Sequence, residues 1–186
     1  DSWRSITSTN APVPVAAGYS PPTLALVWTG DEALAFYSLS ETQQTSGGRY
    51  DPRTDTWRSM SLVNAPLVEY KAAVAWTGRE MIVYGGVDAD GAPGPNVGAS
   101  YNPLTNVWTA IPAGPSLEGT TVGIWTGMDI ITVGCSLYNR VSARYDPNSK
   151  VWSGIPAGQC SPTPEVGIWT SNEFLAWGLG GGAALR

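Results

Sequence analysis

Residues 72–86 read AAVAWTGREMIVYGG and residues 101–108 read YNPLTNVW. The first stretch is two short apolar runs on either side of Trp76-Thr77-Gly78. A glycine able to take φ > 0 between two such runs predicts a β-hairpin turn. In the second stretch Asn102 can accept a backbone hydrogen bond and Pro103 pre-sets φ, which again predicts a turn between two strands. Together the stretches predict four antiparallel strands, a to d.

Both stretches recur. The first returns as LALVWTGDEALAFY (24–37), VGIWTGMDIITVG (122–134) and VGIWTSNEFLAWG (166–178). The second returns as YDPRTDTW (50–57) and YDPNSKVW (145–152), and DSWRSI at the start supplies a further ending in Trp3. Trp28, Trp76, Trp125 and Trp169 are separated by 48, 49 and 44 residues. Of the nine tryptophans only Trp177 falls outside these two registers, and it lies in a second strand. Four strands per unit at this period predict an all-β propeller, since a two-sheet sandwich needs no fixed self-similarity. The expected blades are 23–60, 71–111, 121–155 and 165–186, within a single domain spanning 1–186. The fourth lacks an outer strand, and residues 1–6 read as an outer strand with no unit of its own. The expectation is a ring closed by pairing 1–6 with 182–186, which would hide both sheet edges. The alternative is part of a larger propeller.

These residues resemble kelch repeats of the bacterial kind, in which a glycine doublet follows strand b and a Tyr and a Trp are separated by six residues. Gly85-Gly86 with Tyr101 and Trp108 match in full, and the Tyr–Trp spacing matches in three units. The doublet is replaced by Tyr37-Ser38, Gly134-Cys135 and Gly178-Leu179 in the other units. The resemblance implies a binding scaffold more often than an enzyme, because fold does not fix function. Kelch-type galactose oxidases bind copper through His and Tyr, and no such site carries over to a chain without His.

Composition narrows the chemistry further. The chain has 186 residues, of which 13% are charged, with a net charge of −5, 22 Gly and 15 Pro. The acidic balance argues against a nucleic-acid partner, which calls for a basic face. The absence of His excludes Ser/His and Cys/His catalysis, and two Cys cannot form a Cys₄ zinc site. No cofactor, metal or membrane span is expected; the long uncharged run 5–30 contains four prolines. Low charge, abundant Trp, Gly and Pro, and a disulfide between Cys135 and Cys160 fit a secreted, periplasmic or cell-surface protein.

Strand alternation puts the b–c and d–a connections on one face of the array and the a–b and c–d turns on the other. The loops that differ most between units are on the first face. The expected binding residues there are Glu41, Gln43, Asp88, Asp90, Tyr138, Asn139 and Arg140, with a protein or carbohydrate as partner. Arg53, Arg79 and Asn148 stand on the opposite face. Asp88 and Asp90 begin a calcium-loop pattern that Pro93 and Pro95 interrupt. Glu32, Glu80, Asp129 and Glu173 recur once per blade, which predicts structural acceptors of backbone or Trp N–H bonds rather than a glycosidase pair. The expected function is a non-catalytic exported binding or structural propeller. Alternatives are a carboxylate-based carbohydrate-active enzyme and a self-assembling module that forms a homo-oligomer.

Overall fold

In a computed structural model of the chain, Thr29 organises the a–b turn of the first unit. Its Oγ1 accepts the N–H groups of Asp31 and Glu32 and donates to the Glu32 carbonyl, while Gly30 takes φ 106°. Thr77 and Thr126 do the same around Gly78 and Gly127. In the fourth unit Thr170 makes the bonds with Glu173, but Ser171 stands where the others have glycine and takes φ 86°. The Trp-Thr-Gly turn is thus held by the threonine hydroxyl as much as by the glycine. The structure describes residues 2–13, 23–39, 42–68, 70–86, 94, 96–117, 120–135, 140–156, 163–179 and 181–185; at 120, 135, 140, 163, 164 and 179 this is the backbone.

These turns join strands β1 (Thr23–Trp28) to β2 (Ala33–Leu39), β5 (Ala73–Trp76) to β6 (Met81–Tyr84), β9 (Thr120–Trp125) to β10 (Ile130–Cys135), and β13 (Thr163–Trp169) to β14 (Phe174–Leu179). Outside them lie β3 (Gln44–Asp51) and β4 (Thr56–Ser59), β7 (Gly98–Asn102) and β8 (Val107–Ala110), β11 (Arg140–Asp146) and β12 (Val151–Gly154), and β15 (Gly181–Leu185). The result is four antiparallel sheets in a four-bladed propeller arrangement, with three sheets of four strands and a last sheet of three. The c–d turns follow the Tyr-Asx-Pro reading. Asp51, Asn102 and Asp146 each accept the N–H two residues on, and Asp55, Asn106 and Lys150 take φ near +55° to complete the reversal.

The registers superimpose. Trp28, Trp76, Trp125 and Trp169 face Ala33, Met81, Ile130 and Phe174 across the first hairpin. Tyr50, Tyr101 and Tyr145 face Trp57, Trp108 and Trp152 across the last, with ring centroids 5.1, 5.1 and 4.9 Å apart. Three apolar clusters fill the junctions between successive blades. The first joins Ala25, Leu34 and Phe36 to Met81, Tyr101 and Trp108; the second joins Ala75 and Ile82 to Ile130 and Tyr145; the third joins Val122 and Ile131 to Phe174. At the inner end the sheets come close enough to demand glycine. A side chain at Gly167 would collide with Phe174 and Val122.

The junctions are tied by one repeated hydrogen bond. The Trp108 indole N–H donates to the Ser61 carbonyl, that of Trp152 to Pro112, and that of Trp57 to Thr7. In every case the acceptor stands four residues after the previous outer-strand tryptophan, counting Trp3 as the first. The Ser61 N–H returns a bond to Asn106, which also accepts from the Tyr101 hydroxyl; Thr7, Asp55 and Tyr50 repeat that arrangement.

This pattern corrects the expected closure. Residues 2–8 form no strand and do not pair with β15, so among the described residues blade 4 has no outer strand. The segment's groups are occupied on blade 1, where Arg4 pairs with Asp55 and Thr7 makes both of its repeat bonds. The inner strands touch in the order β1, β5, β9, β13, and no contact of that extent joins β13 back to β1. Among the described residues no helix is long and apolar enough to cross a membrane.

Candidate functional site

Glu32 is buried at the a–b turn of blade 1, and two arginines neutralise it. Arg49 on β3 donates through Nη2 and Nε at 2.6 and 3.1 Å, and Arg58 on β4 donates at 3.1 Å. Burial works against the Arg49 charge, but its hydrogen bonds to the Glu32 carboxylate, together with the electrostatic influence of Tyr101 and Glu32, outweigh it, so the guanidinium titrates above its ordinary value. In blade 3 Asp129 is held by Arg144 at 3.1 Å and by the Thr126 hydroxyl at 2.7 Å. The recurring carboxylates are therefore structural acceptors at these two places, but their side-chain partners are arginines and a threonine. The Trp N–H groups go to linker carbonyls instead.

Blade 2 breaks the pattern. The positions of Arg49 and Arg58 are taken by Ser100 and Thr109, which face each other across β7 and β8 as the two arginines do across β3 and β4. Glu80 consequently has no ion pair or side-chain hydrogen bond among the described residues. The missing guanidinium groups leave a cleft of about 420 Å³ between blades 2 and 3, lined by Glu80, Ser100, Thr109 and Trp125, with Arg79 and Lys150 among its other lining residues. Burial raises the Tyr145 hydroxyl above its usual range, and the nearby Glu80 charge adds to that effect. Glu80 of blade 2 thus shares the cleft with Trp125 of blade 3.

The chemistry of this cleft is specific. An unpaired carboxylate accepts hydroxyl donors, two hydroxyl side chains can both donate and accept, and an indole offers an apolar face. Arg79 and Lys150, with no carboxylate partner among the described residues, add positive charge. Among the lining residues Glu80 is the one carboxylate. No group of three or more metal-ligating side chains occurs among the described residues.

The cleft lies on the face of the a–b and c–d turns. Of the residues expected on the other face, Gln43 stands at the b–c corner of blade 1 with φ 54°. Arg140 opens β11 directly opposite Cys135, the last residue of β10. Glu41, Asp88, Asp90, Tyr138 and Asn139 lie outside the described residues, as does Cys160, and with it the expected disulfide. Sequence reasoning passed over the cleft because Glu80 looked like one member of a uniform series. The available signal was the loss of arginine at 100 and 109, visible only when the c and d strands are aligned. No family model matches the chain, and no curated protein matches it.

Proposed function

We propose that the chain is a non-catalytic, exported binding propeller of the bacterial kelch type, and that it holds a carbohydrate in the cleft between blades 2 and 3. The observation that carries this reading is Glu80, a carboxylate whose arginine partners have been replaced by hydroxyl side chains beside a tryptophan. A pyranose presents hydroxyls to Glu80, Ser100 and Thr109 and its C–H face to Trp125. Arg79 and Lys150 favour sugars that carry a carboxylate or sulfate. A single carboxylate in the cleft supports binding over hydrolysis, since glycosidases set two carboxyl groups about 5–10 Å apart.

An array of neutral, uronic and sulfated oligosaccharides, followed by calorimetry on the hits, tests this. Glu80→Gln and Trp125→Ala are each expected to weaken the hit by at least about tenfold, roughly 1.4 kcal/mol. Unchanged affinity in both variants, or no bound sugar, defeats the reading, and release of reducing ends from the hit returns the enzyme alternative. The second reading places recognition of a protein or glycan on the b–c and d–a loops, whose lengths differ between units as the turns do not. It predicts that replacing Asp88, Asp90 and Arg140 together with Ala abolishes binding while Glu80→Gln does not.

A further inference from the structure

Because the blades share one register, each position on an end blade can be compared with its counterparts inside the array. On the outward face of blade 4, Val166 and Ile168 occupy the positions of Val122 and Ile124, which are packed between blades 3 and 4. Val122 is 8% exposed, whereas Ile168 is 59% exposed. Trp177 occupies the position of Phe36 and Tyr84, which are fully buried and pack on the outer-strand tryptophan of the next blade at 4.8 and 4.5 Å. Trp177 itself is 65% exposed.

Blade 1 shows the complement. Leu24, Leu26 and Trp28 occupy the positions of Ala72, Val74 and Trp76, which pack against the preceding blade. All three are exposed, Leu26 at 65%. Trp57, the counterpart of the buried Trp108, is only partly covered. Residues 3–7 lie on blade 1 as 57–61 lie on blade 2, so they occupy the place of a preceding blade's outer strand. Ile6 is the counterpart of Met60, Ile111 and Ile155, which fill the junctions, and it is half exposed. Among the described residues the sheet without an outer strand is blade 4.

We propose that this chain associates head to tail with a second copy. The outward face of blade 4 seats on the outward face of blade 1 of the second copy, and Trp3–Ile6 of that copy completes the sheet beside β15. The internal junctions supply the template. Trp177 meets Trp57 of the second copy as Phe36 meets Trp108, and Leu185 pairs with Trp3 of the second copy as Tyr50 pairs with Trp57. The two faces differ, so the contact is heterologous, and it leads to rings when the rotation closes. Two copies about a twofold axis form an eight-bladed ring, within the range propellers occupy.

Size-exclusion chromatography with light scattering on the full chain tests this. The wild type is expected at twice the chain mass. Leu26→Arg spoils only the blade 1 face and Ile168→Asp only the blade 4 face, so each alone is expected to be monomeric. Mixed in equal amounts they retain one intact pair of faces and are expected to form a one-to-one dimer. A far-UV circular dichroism spectrum like that of the wild type, with a cooperative melt that falls only by the stabilisation association supplies, shows that each variant is folded; should either unfold, Leu24→Lys and Val166→Lys replace them. A monomeric wild type overturns the proposal and points to closure within one chain or to cover by another segment. Dimers that persist in Leu26→Arg or Ile168→Asp, or variants that fail to recombine, overturn the head-to-tail geometry.

Discussion

Replacing Ser100 with arginine would copy into blade 2 the arrangement that blade 1 carries. The new guanidinium stands on the central part of β7, opposite Thr109, as Arg49 stands on β3 opposite Arg58. In blade 1 the corresponding pair closes to 2.6 Å with side chains 16% and 11% exposed. A charge-assisted pair with that degree of shelter contributes about 1–2 kcal/mol after desolvation. In a domain of this size about 1 kcal/mol moves the melting temperature by about 2–4 °C. Ser100→Arg is therefore expected to melt about 2–8 °C higher while losing saccharide binding about a hundredfold or more, because the arginine fills the cleft and occupies Glu80. Differential scanning fluorimetry and calorimetry read the two effects on one preparation. A variant that binds as tightly as wild type refutes the placement of the site. One that melts more than about 5 °C lower refutes the register argument on which the cleft rests.

Three further outcomes follow from the repeat. Trp108 is buried between Phe36 and Tyr101 and donates to Ser61, so Trp108→Ala is expected to cost about 3–5 kcal/mol in chemical denaturation. Trp108→Phe should recover most of that. Ser171 holds φ 86° where the other units have glycine, so Ser171→Gly is expected to stabilise by about 1 kcal/mol and raise the melting temperature by about 2–4 °C. Asp55 is held below the usual carboxylate range by the Tyr50 hydroxyl and then by the Thr7 N–H. A folded-state pKa below the unfolded value means that this contribution is present above about pH 4 and is lost as pH falls through the folded value. Asp55→Asn copies Asn106, so it is expected to leave the melting temperature near neutral pH almost unchanged and to flatten its fall on acidification; an unaltered acid limb rejects the assignment.

The propeller was legible because its repeats are written in residues with few alternatives. Thr77-Gly78 and Asn102-Pro103 each specify a turn locally, and the tryptophans mark the same two registers in unit after unit. Residues 1–6 read as an outer strand, but residues 2–6 form none; what the sequence did carry was the repeat spacing, since Trp3 stands to Thr7 as Trp57 stands to Ser61. Their partner was not legible. A strand's sequence records which side chains it buries, and its backbone will pair with any free edge of suitable register. The cleft was hidden for a different reason. It arises where Ser100 and Thr109 omit a side chain, and an omission becomes visible only against an aligned repeat.

The indole bonds carry a consequence for how such an array can grow or be rebuilt. Ser61, the acceptor of Trp108, stands in the linker that leads into the sheet of Trp108, and Pro112 stands likewise before the sheet of Trp152. A module running from Trp57 through Val107 therefore separates each tryptophan from its acceptor, whereas one running from Met60 through Ala110 holds Ser61 and Trp108 together. Duplicating that second segment in tandem would keep an indole bond inside each copy, so the unit of this architecture that can be copied whole is a sheet together with the linker that precedes it.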